Sequence, residues 1–399
     1  MKTREVKLGE VANVKGGKRI PKGIGLINIP NGHPYIRVRD LNNKRLLELD
    51  NSYEYVDNET QKVISKYTVK TGDVVLSIVG TIGLVAIVGR TLDGANLTEN
   101  CVKLSSFHGV NRDFLYYYLR SDCGQQEIRC GTVGAVQAKL PIKNIQNIAI
   151  NLPDYTTQER IVSLLLSIDR KIELNQKIND NLEQQAATYF QELFINNANP
   201  VWQISTISDL GTVVGGSTPS KTKPEYYTNN GIAWITPKDL SINKSKFISH
   251  GENDITELGL KNSSATVMPK GTVLFSSRAP IGYIAIASNE VTTNQGFKSV
   301  IPYSEIGTAF VYFFLKHSLP VIESAASGST FKEISGSAMK NIPAIIPDRN
   351  TLDQFNSFCA PIFAQQKILE EQNHSLAMLR DSLLPKLMSG AIDIASIQL

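Results

Sequence analysis

Ile82-Gly83-Leu84-Val85-Ala86-Ile87 and Ile281-Gly282-Tyr283-Ile284-Ala285-Ile286 are one pattern written twice, 199 residues apart. The same shift carries Gly16-Gly17 to Gly215-Gly216, Asp40-Leu41 to Asp239-Leu240, and Gly72 to Gly271. One register held over roughly 70 residues marks an internal duplication, which governs every later reading of the fold. The register then slips. Phe114-Leu115-Tyr116-Tyr117-Tyr118-Leu119 returns as Phe310-Val311-Tyr312-Phe313-Phe314-Leu315 at a shift of 196, and Lys143-Asn144-Ile145 as Lys340-Asn341-Ile342 at 197. Each repeat is expected to hold a mixed domain, residues 1–154 and 200–348, followed by a helix, residues 155–199 and 349–399. Residues 74–78 and 84–88 read as strands about a Gly80-Thr81 turn, matched by 273–276 and 283–287. The fold class is therefore α+β: two mixed α/β domains in a pseudo-twofold repeat, separated by two long antiparallel coiled-coil helices.

The helices carry their own signals. Thr156-Thr157-Gln158-Glu159, after Pro153, reads as a capping box, and Thr351-Leu352-Asp353-Gln354, after Pro347, repeats it. Apolar and polar residues then step by four and three: Ile161, Leu165, Ile168, Ile172, Asn175, Asn179, Leu182, Ala186, Tyr189, Leu193. That is a heptad seam rather than a broad stripe. The second helix reads Phe358, Ile362, Gln365, Leu369, Gln372, Leu376, Leu379, Leu383, with Pro385 expected to end or kink it. Asn175 and Asn179 are expected to meet Gln365 and Gln372 and fix the register. A first helix of about 38 residues spans about 57 Å. Helices related by a pseudo-twofold axis would run antiparallel and set one domain at each end of a rod. Such a rod would separate two readers by about one to two turns of duplex DNA at 3.4 Å per base pair. The simpler arrangement packs each helix on its own domain.

The 399 residues are 42% hydrophobic and 20% charged, which suits buried cores and excludes wholesale disorder. Charge divides unevenly. Residues 1–154 carry 21 basic and 15 acidic side chains, and residues 200–348 carry 12 and 11. Both helical segments are net acidic, so positive charge sits on the domains, where phosphate contact would need it. No apolar run is long enough to span a membrane. The N-terminal Met1-Lys2-Thr3-Arg4-Glu5-Val6-Lys7 lacks a signal-peptide core. Cys101, Cys123, Cys130 and Cys359 show no CxxC spacing, which fits free thiols in a reducing cytoplasm. The five histidines show no metal-ligand spacing, and no phosphate-binding glycine motif is complete, so no catalytic residue and no metal is expected.

Local clusters nominate DNA contacts. Lys15, Lys18, Arg19 and Lys22 surround Gly16-Gly17, glycines that would let a ligand approach the backbone. Lys221 and Lys223 follow the copy, Gly215-Gly216. Tyr35-Ile36-Arg37-Val38-Arg39 alternates, so a strand would put Tyr35, Arg37 and Arg39 on one face, with Trp234, Thr236 and Lys238 as counterparts. Arginine can read guanine bidentately and also bind phosphates. Further loop candidates are Gln137 and Lys139 within 131–139, Ser276 with Arg278, and Thr330 with Lys332. A solvated polar face is the alternative for each.

Gln158-Glu159-Arg160-Ile161, Leu166-Ser167-Ile168-Asp169-Arg170-Lys171-Ile172-Glu173-Leu174-Asn175, Ile178-Asn179 and Leu182-Glu183 resemble the central region of type I restriction–modification specificity subunits. Leu383-Leu384-Pro385-Lys386-Leu387-Met388-Ser389-Gly390 resembles their C-terminal region. Gly72-Asp73-Val74-Val75 and its copy fit their target recognition domains. The resemblance implies a non-catalytic, DNA-binding subunit with two target recognition domains and a two-helix spacer, reading a bipartite, asymmetric duplex sequence. It implies partners too: two methylation subunits holding S-adenosylmethionine, and restriction subunits holding ATP and Mg. The assembled complex would then be an adenine-N6 methyltransferase and an ATP-dependent endonuclease. A structural adaptor with protein-binding end domains is the competing reading, and a methyltransferase acting alone a weaker one.

Overall fold

The computed structural model describes residues 2–41, 44–328 and 332–394, which form two compact units. The first comprises Met1–Lys171 with Leu376–Leu399, and the second Ile172–Ser375. Each long helix is thus divided between the units.

In the first unit a five-stranded sheet runs in the order Asn13–Gly16, Cys101–Ser105, Val74–Ser77, Val85–Val88, Leu46–Leu47. Alternation along its central strands explains why it is buried on both faces. Val74 and Leu76 enter one core with Phe114, Tyr117, Ile161 and Leu165. Val75, Ala86 and Val88 enter the other with Ile36, Leu41 and Leu97. Glu54–Tyr55, Pro34–Ile36 and Asn96–Leu97 make a second, small sheet, and Thr3–Lys7 pairs antiparallel with Ala149–Pro153.

The second unit repeats this arrangement and adds one strand, Tyr227–Thr228, at the edge of its small sheet. Its five-stranded sheet runs Gly211–Gly215, Lys298–Pro302, Val273–Ser277, Ile281–Ala287, Phe247–Ile248. Its small sheet contains Ile232–Ile235 between Asn253–Ile255 and Thr292–Thr293. Matching strand order in both units is the duplication expressed in three dimensions.

The long helices are Tyr155–Gln191 and Arg349–Met388. Their caps differ from expectation. Asp154 accepts the Thr157 N–H at 3.0 Å and hydroxyl at 2.6 Å, and Asp348 treats Thr351 the same way at 3.0 and 2.8 Å. An aspartate directly before the helix outcompetes the Thr-x-x-Glu pattern starting at Thr156, because its carboxylate reaches the free N–H groups first. Gln158 is instead buried, holding Asn111 N–H and the Pro153 carbonyl at 2.7 and 2.9 Å. Pro385 does not end the second helix, which continues to Met388.

Within each unit the helix segments run antiparallel. Arg380 Nη1 meets Asp169 at 2.9 Å in the first unit. In the second, Asn175 Nδ2 donates to Asn373 at 2.9 Å and Gln372 at 3.4 Å, and Gln366 Nε2 donates to the Asn179 carbonyl at 3.2 Å. The second helix's seam corrects the sequence reading. Ile362, Leu369, Leu376 and Leu383 are buried or half-buried, but Phe358 and Leu379 stand 41% and 48% exposed. Cys359, Gln366, Asn373 and Arg380 occupy the alternate positions in place of Phe358, Gln365, Gln372 and Leu379. In the first helix Ile161, Leu165, Ile168, Ile172 and Leu182 line the seam, whereas Phe190 and Phe194 are more deeply buried than Tyr189 and Leu193.

Candidate nucleic-acid interface

The small sheet in each unit, the Gly-Gly loop beside it and the loop after its parallel strand gather most of the nominated side chains. In the first unit Lys15 lies in the strand Asn13–Gly16, and Lys18 and Arg19 follow Gly16-Gly17, all three exposed. A Cβ on Gly17 would lie 2.1 Å from the Thr98 carbonyl oxygen, and one on Gly216 would lie 2.0 Å from that of Asn294. The second glycine of each pair therefore admits the protein's own neighbouring chain, not a ligand as expected from sequence. Tyr35 Oη donates to the Lys18 carbonyl at 2.8 Å, and Trp234 Nε1 to the Ser217 carbonyl at 3.0 Å. The aromatic residue thus pins the basic loop in both copies.

The strand reading of residues 35–39 needs correction. Pairing stops at Ile36, and Val38–Leu41 turn into a 3-10 helix because the Asp40 carboxylate captures the Arg37 N–H at 2.7 Å. Thr236 and Asp239 repeat the device, also at 2.7 Å, and open the helix Pro237–Ile242. Tyr35 is buried, so it shares no exposed face with Arg37 and Arg39. Both arginines pair with Glu54, Arg39 at 2.5 Å, and Arg39 also lies 3.5 Å from Asp40. Burial lifts the Asp40 carboxyl to about 6 despite the opposing pull of Arg39.

In the second unit a cleft of about 660 Å³ brings Lys221, Lys238 and Arg278 together with Trp234, Tyr227, Asn253, Asn294 and Gln295. Lys238 pairs with Glu252 at 2.6 Å, and Arg278 with Glu333 at 3.4 Å. Lys223 lies outside this lining, its ammonium 5.2 Å from the Tyr226 ring. Ser276 is fully buried and its hydroxyl is spent within a turn, donating to the Pro280 carbonyl and accepting the Tyr283 N–H. It is unavailable for the surface role expected of it, and Ser77 plays the same turn role in the first unit.

Gln137 and Lys139 sit on an exposed hairpin whose Val133 and Lys139 backbones exchange hydrogen bonds of 2.8 Å. Ser327 and Glu333 exchange backbone hydrogen bonds of 3.0 and 2.9 Å in the same way, and Lys332 is exposed. Thr330 lies outside the described residues.

Cross-strand pairing shows what differs between the copies. Tyr35 faces Glu54, and Trp234 faces Asn253. Ile36 pairs with Leu97 and Ile235 with Thr293, which puts Glu99 and Gln295 at one position. Arg19 Nε meets Glu99 at 2.5 Å, and Thr218 donates to Gln295 in its place. Acids held by arginines in one unit become amides in the other. The amides of Asn253, Asn294 and Gln295 offer donors and acceptors together, which suits reading base edges in a groove. Sequence reasoning missed these three. The signal was present, since Thr292-Thr293-Asn294-Gln295 is the repeat counterpart of Asn96-Leu97-Thr98-Glu99. Among the described residues no group of three or more His, Cys, Asp or Glu could hold a metal ion. Among the described residues, too, no helix is long and apolar enough to cross a membrane.

Comparison with known proteins agrees with this geometry. A family model described as type I restriction modification DNA specificity domain matches residues 2–184 and again 200–373. A type I restriction enzyme MjaIX specificity subunit of Methanocaldococcus jannaschii is 43% identical over 162 residues, which is 40% of this chain and 37% of that protein. A HindI specificity subunit of Haemophilus influenzae is 24% identical over 342 residues, 67% of this chain and 73% of that one. A crystal structure of a type I restriction–modification S subunit from M. genitalium shares the fold, with a TM-score of 0.58 and 16% identity over 97% of this chain and 99% of that one.

Proposed function

The chain belongs to the type I restriction modification DNA specificity family, and from that premise we propose that it is the sequence-reading subunit of a type I restriction–modification complex. Its two units read the two parts of an asymmetric duplex target. The observation that carries this reading is one scaffold built twice with different polar side chains at matched positions. Glu54 and Glu99, held by arginines, answer to Asn253 and Gln295. A glutamate can accept from cytosine N4, whereas an amide can pair with adenine N6 and N7. Identical scaffolds with unlike side chains suit two unlike half-sites.

The chain's own role is binding. Two methylation subunits would hold S-adenosylmethionine, and restriction subunits would hold ATP and Mg. Adenine-N6 methylation and ATP-dependent cleavage in the cytoplasm would then belong to the assembly. The length of the helix pair sets the gap between the half-sites. The test is to map methylated adenines across the host genome with and without this gene. One bipartite motif should vanish with the gene, and replacing residues 1–154 should change one half of it. An unchanged methylation pattern would overturn the reading. If the chain binds no duplex even with its methylation partners, the end domains are protein-binding adaptors.

A further inference from the structure

Lys15, Lys66 and Lys103 line one pocket of about 300 Å³ in the first unit, together with Tyr67 and Thr68. Lys18 stands beside it, its ammonium 5.6 Å from the Tyr67 ring centre. Lys103 is the fixed member: its side chain is 18% exposed, donates to the Thr68 carbonyl at 2.7 Å and pairs with Asp73 at 3.3 Å. Asp73 offsets Lys103, but Lys15, Lys18 and Lys66 are exposed, and no acidic side chain lines this pocket. Gathering like charges is unfavourable unless an anion offsets them.

The duplication supplies an internal comparison. Lys15 pairs with Lys103 across the sheet, and Val214 pairs with Ser299 at the same place. The Lys18 N–H donates to Leu97, and the Ser217 N–H to Thr293. Val69 bonds Ala95 as Met268 bonds Val291, which sets Lys66 opposite Ala265. Four lysines in one unit are thus Val214, Ser217, Ala265 and Ser299 in the other. The scaffold does not need the lysines, since the second unit builds the same strands without them. They also account for most of the charge excess of residues 1–154 over 200–348.

We propose that this pocket grips backbone phosphate of duplex DNA, and that the two units hold their target by different means: the first by a lysine clamp on phosphate, the second through its polar cleft. The inference rests on the DNA-binding function above. Lysine ammonium groups bind phosphate as point charges without reading sequence.

The test uses the full chain, a 40-base-pair duplex of mixed sequence and a salt titration by fluorescence anisotropy. Lys15→Ala with Lys66→Ala should lower the slope of log affinity against log salt by about two. The loss should be equal on the preferred sequence. Lys177→Ala with Lys386→Ala removes the same charge elsewhere and should leave the slope unchanged. An unchanged slope in the first pair, or an equal fall in the second, overturns the proposal. So does a pocket that takes up pyrophosphate while the duplex slope stays fixed, since it would then serve a small phosphorylated molecule. Failure of the unaltered chain to bind any duplex, even with its methylation partners, would remove the DNA-binding function as well. Retained binding with an unaltered slope removes this inference alone.

Discussion

Arg278 and Arg39 stand at the two candidate reading surfaces: Arg278 has Glu333 at 3.4 Å, and Arg39 has Glu54 at 2.5 Å and Asp40 at 3.5 Å. A base-reading arginine contributes through bidentate hydrogen bonds to guanine. Arg278→Ala should therefore weaken binding and relax the choice at one half-site by about 1–3 kcal/mol, read by competition between duplexes that differ at single positions. Arg39→Ala should do the same at the other half-site, whereas equal loss on every duplex would assign either residue to phosphate. Asp40 makes a pH prediction. Its carboxyl sits at about 6 in the folded unit against an ordinary 3.8, so the folded state holds the extra proton between those values. Stability from this group is therefore present at low pH and is lost as pH rises through about 6. The stability of the unaltered chain minus that of Asp40→Asn should fall from pH 4 to pH 6 and stay level above pH 7. A flat difference would show that Asp40 titrates as an ordinary carboxylate. Arg39 and Arg278 were legible in the sequence as candidates, but the Asp40 shift was not, because Asp40 looks like any turn aspartate until its burial is known.

The helices show how far periodicity carries an argument. The first seam was legible because Ile161, Leu165, Ile168 and Ile172 are apolar and buried or half-buried in step. In the second, the steps 358, 362, 365, 369 and 359, 362, 366, 369 share every second member. Apolarity favoured Phe358 and Leu379, while packing selects Cys359, Gln366, Asn373 and Arg380. Three polar seam residues, each with a partner across the pair, hid the register from a hydrophobic pattern. The same reasoning failed for residues 35–39, where alternation predicted a strand and a carboxylate capturing the next free N–H made a turn. Two substitutions separate the seams. Leu165→Ala removes a fully buried side chain and should cost about 2–5 kcal/mol in denaturant unfolding. Phe358→Ala, on the exposed face, should cost clearly less. Equal costs would restore the register that the sequence suggested.

At the scale of the whole molecule the duplication was legible, since a shift of 199 aligns glycines and strands and a shift of 196 aligns the aromatic helix. What stayed hidden was the division of labour between copies, which depends on cross-strand neighbours rather than on spacing. If helix length sets the gap in the target, one helical turn added to both helices should alter that gap by about one or two base pairs at 5.4 Å per turn. Methylation mapping reads this directly, and an unaltered gap would leave the helices a purely structural role. The first unit's core also contains Leu384, Leu387, Met388 and Ile394, which follow the second unit in the sequence. A ribosome delivers these residues after the second unit, so the first unit must wait, with part of its apolar interior uncovered, until they emerge. A nascent chain stalled after Ser375 would therefore be a substrate for chaperones and proteases in its first unit, not its second.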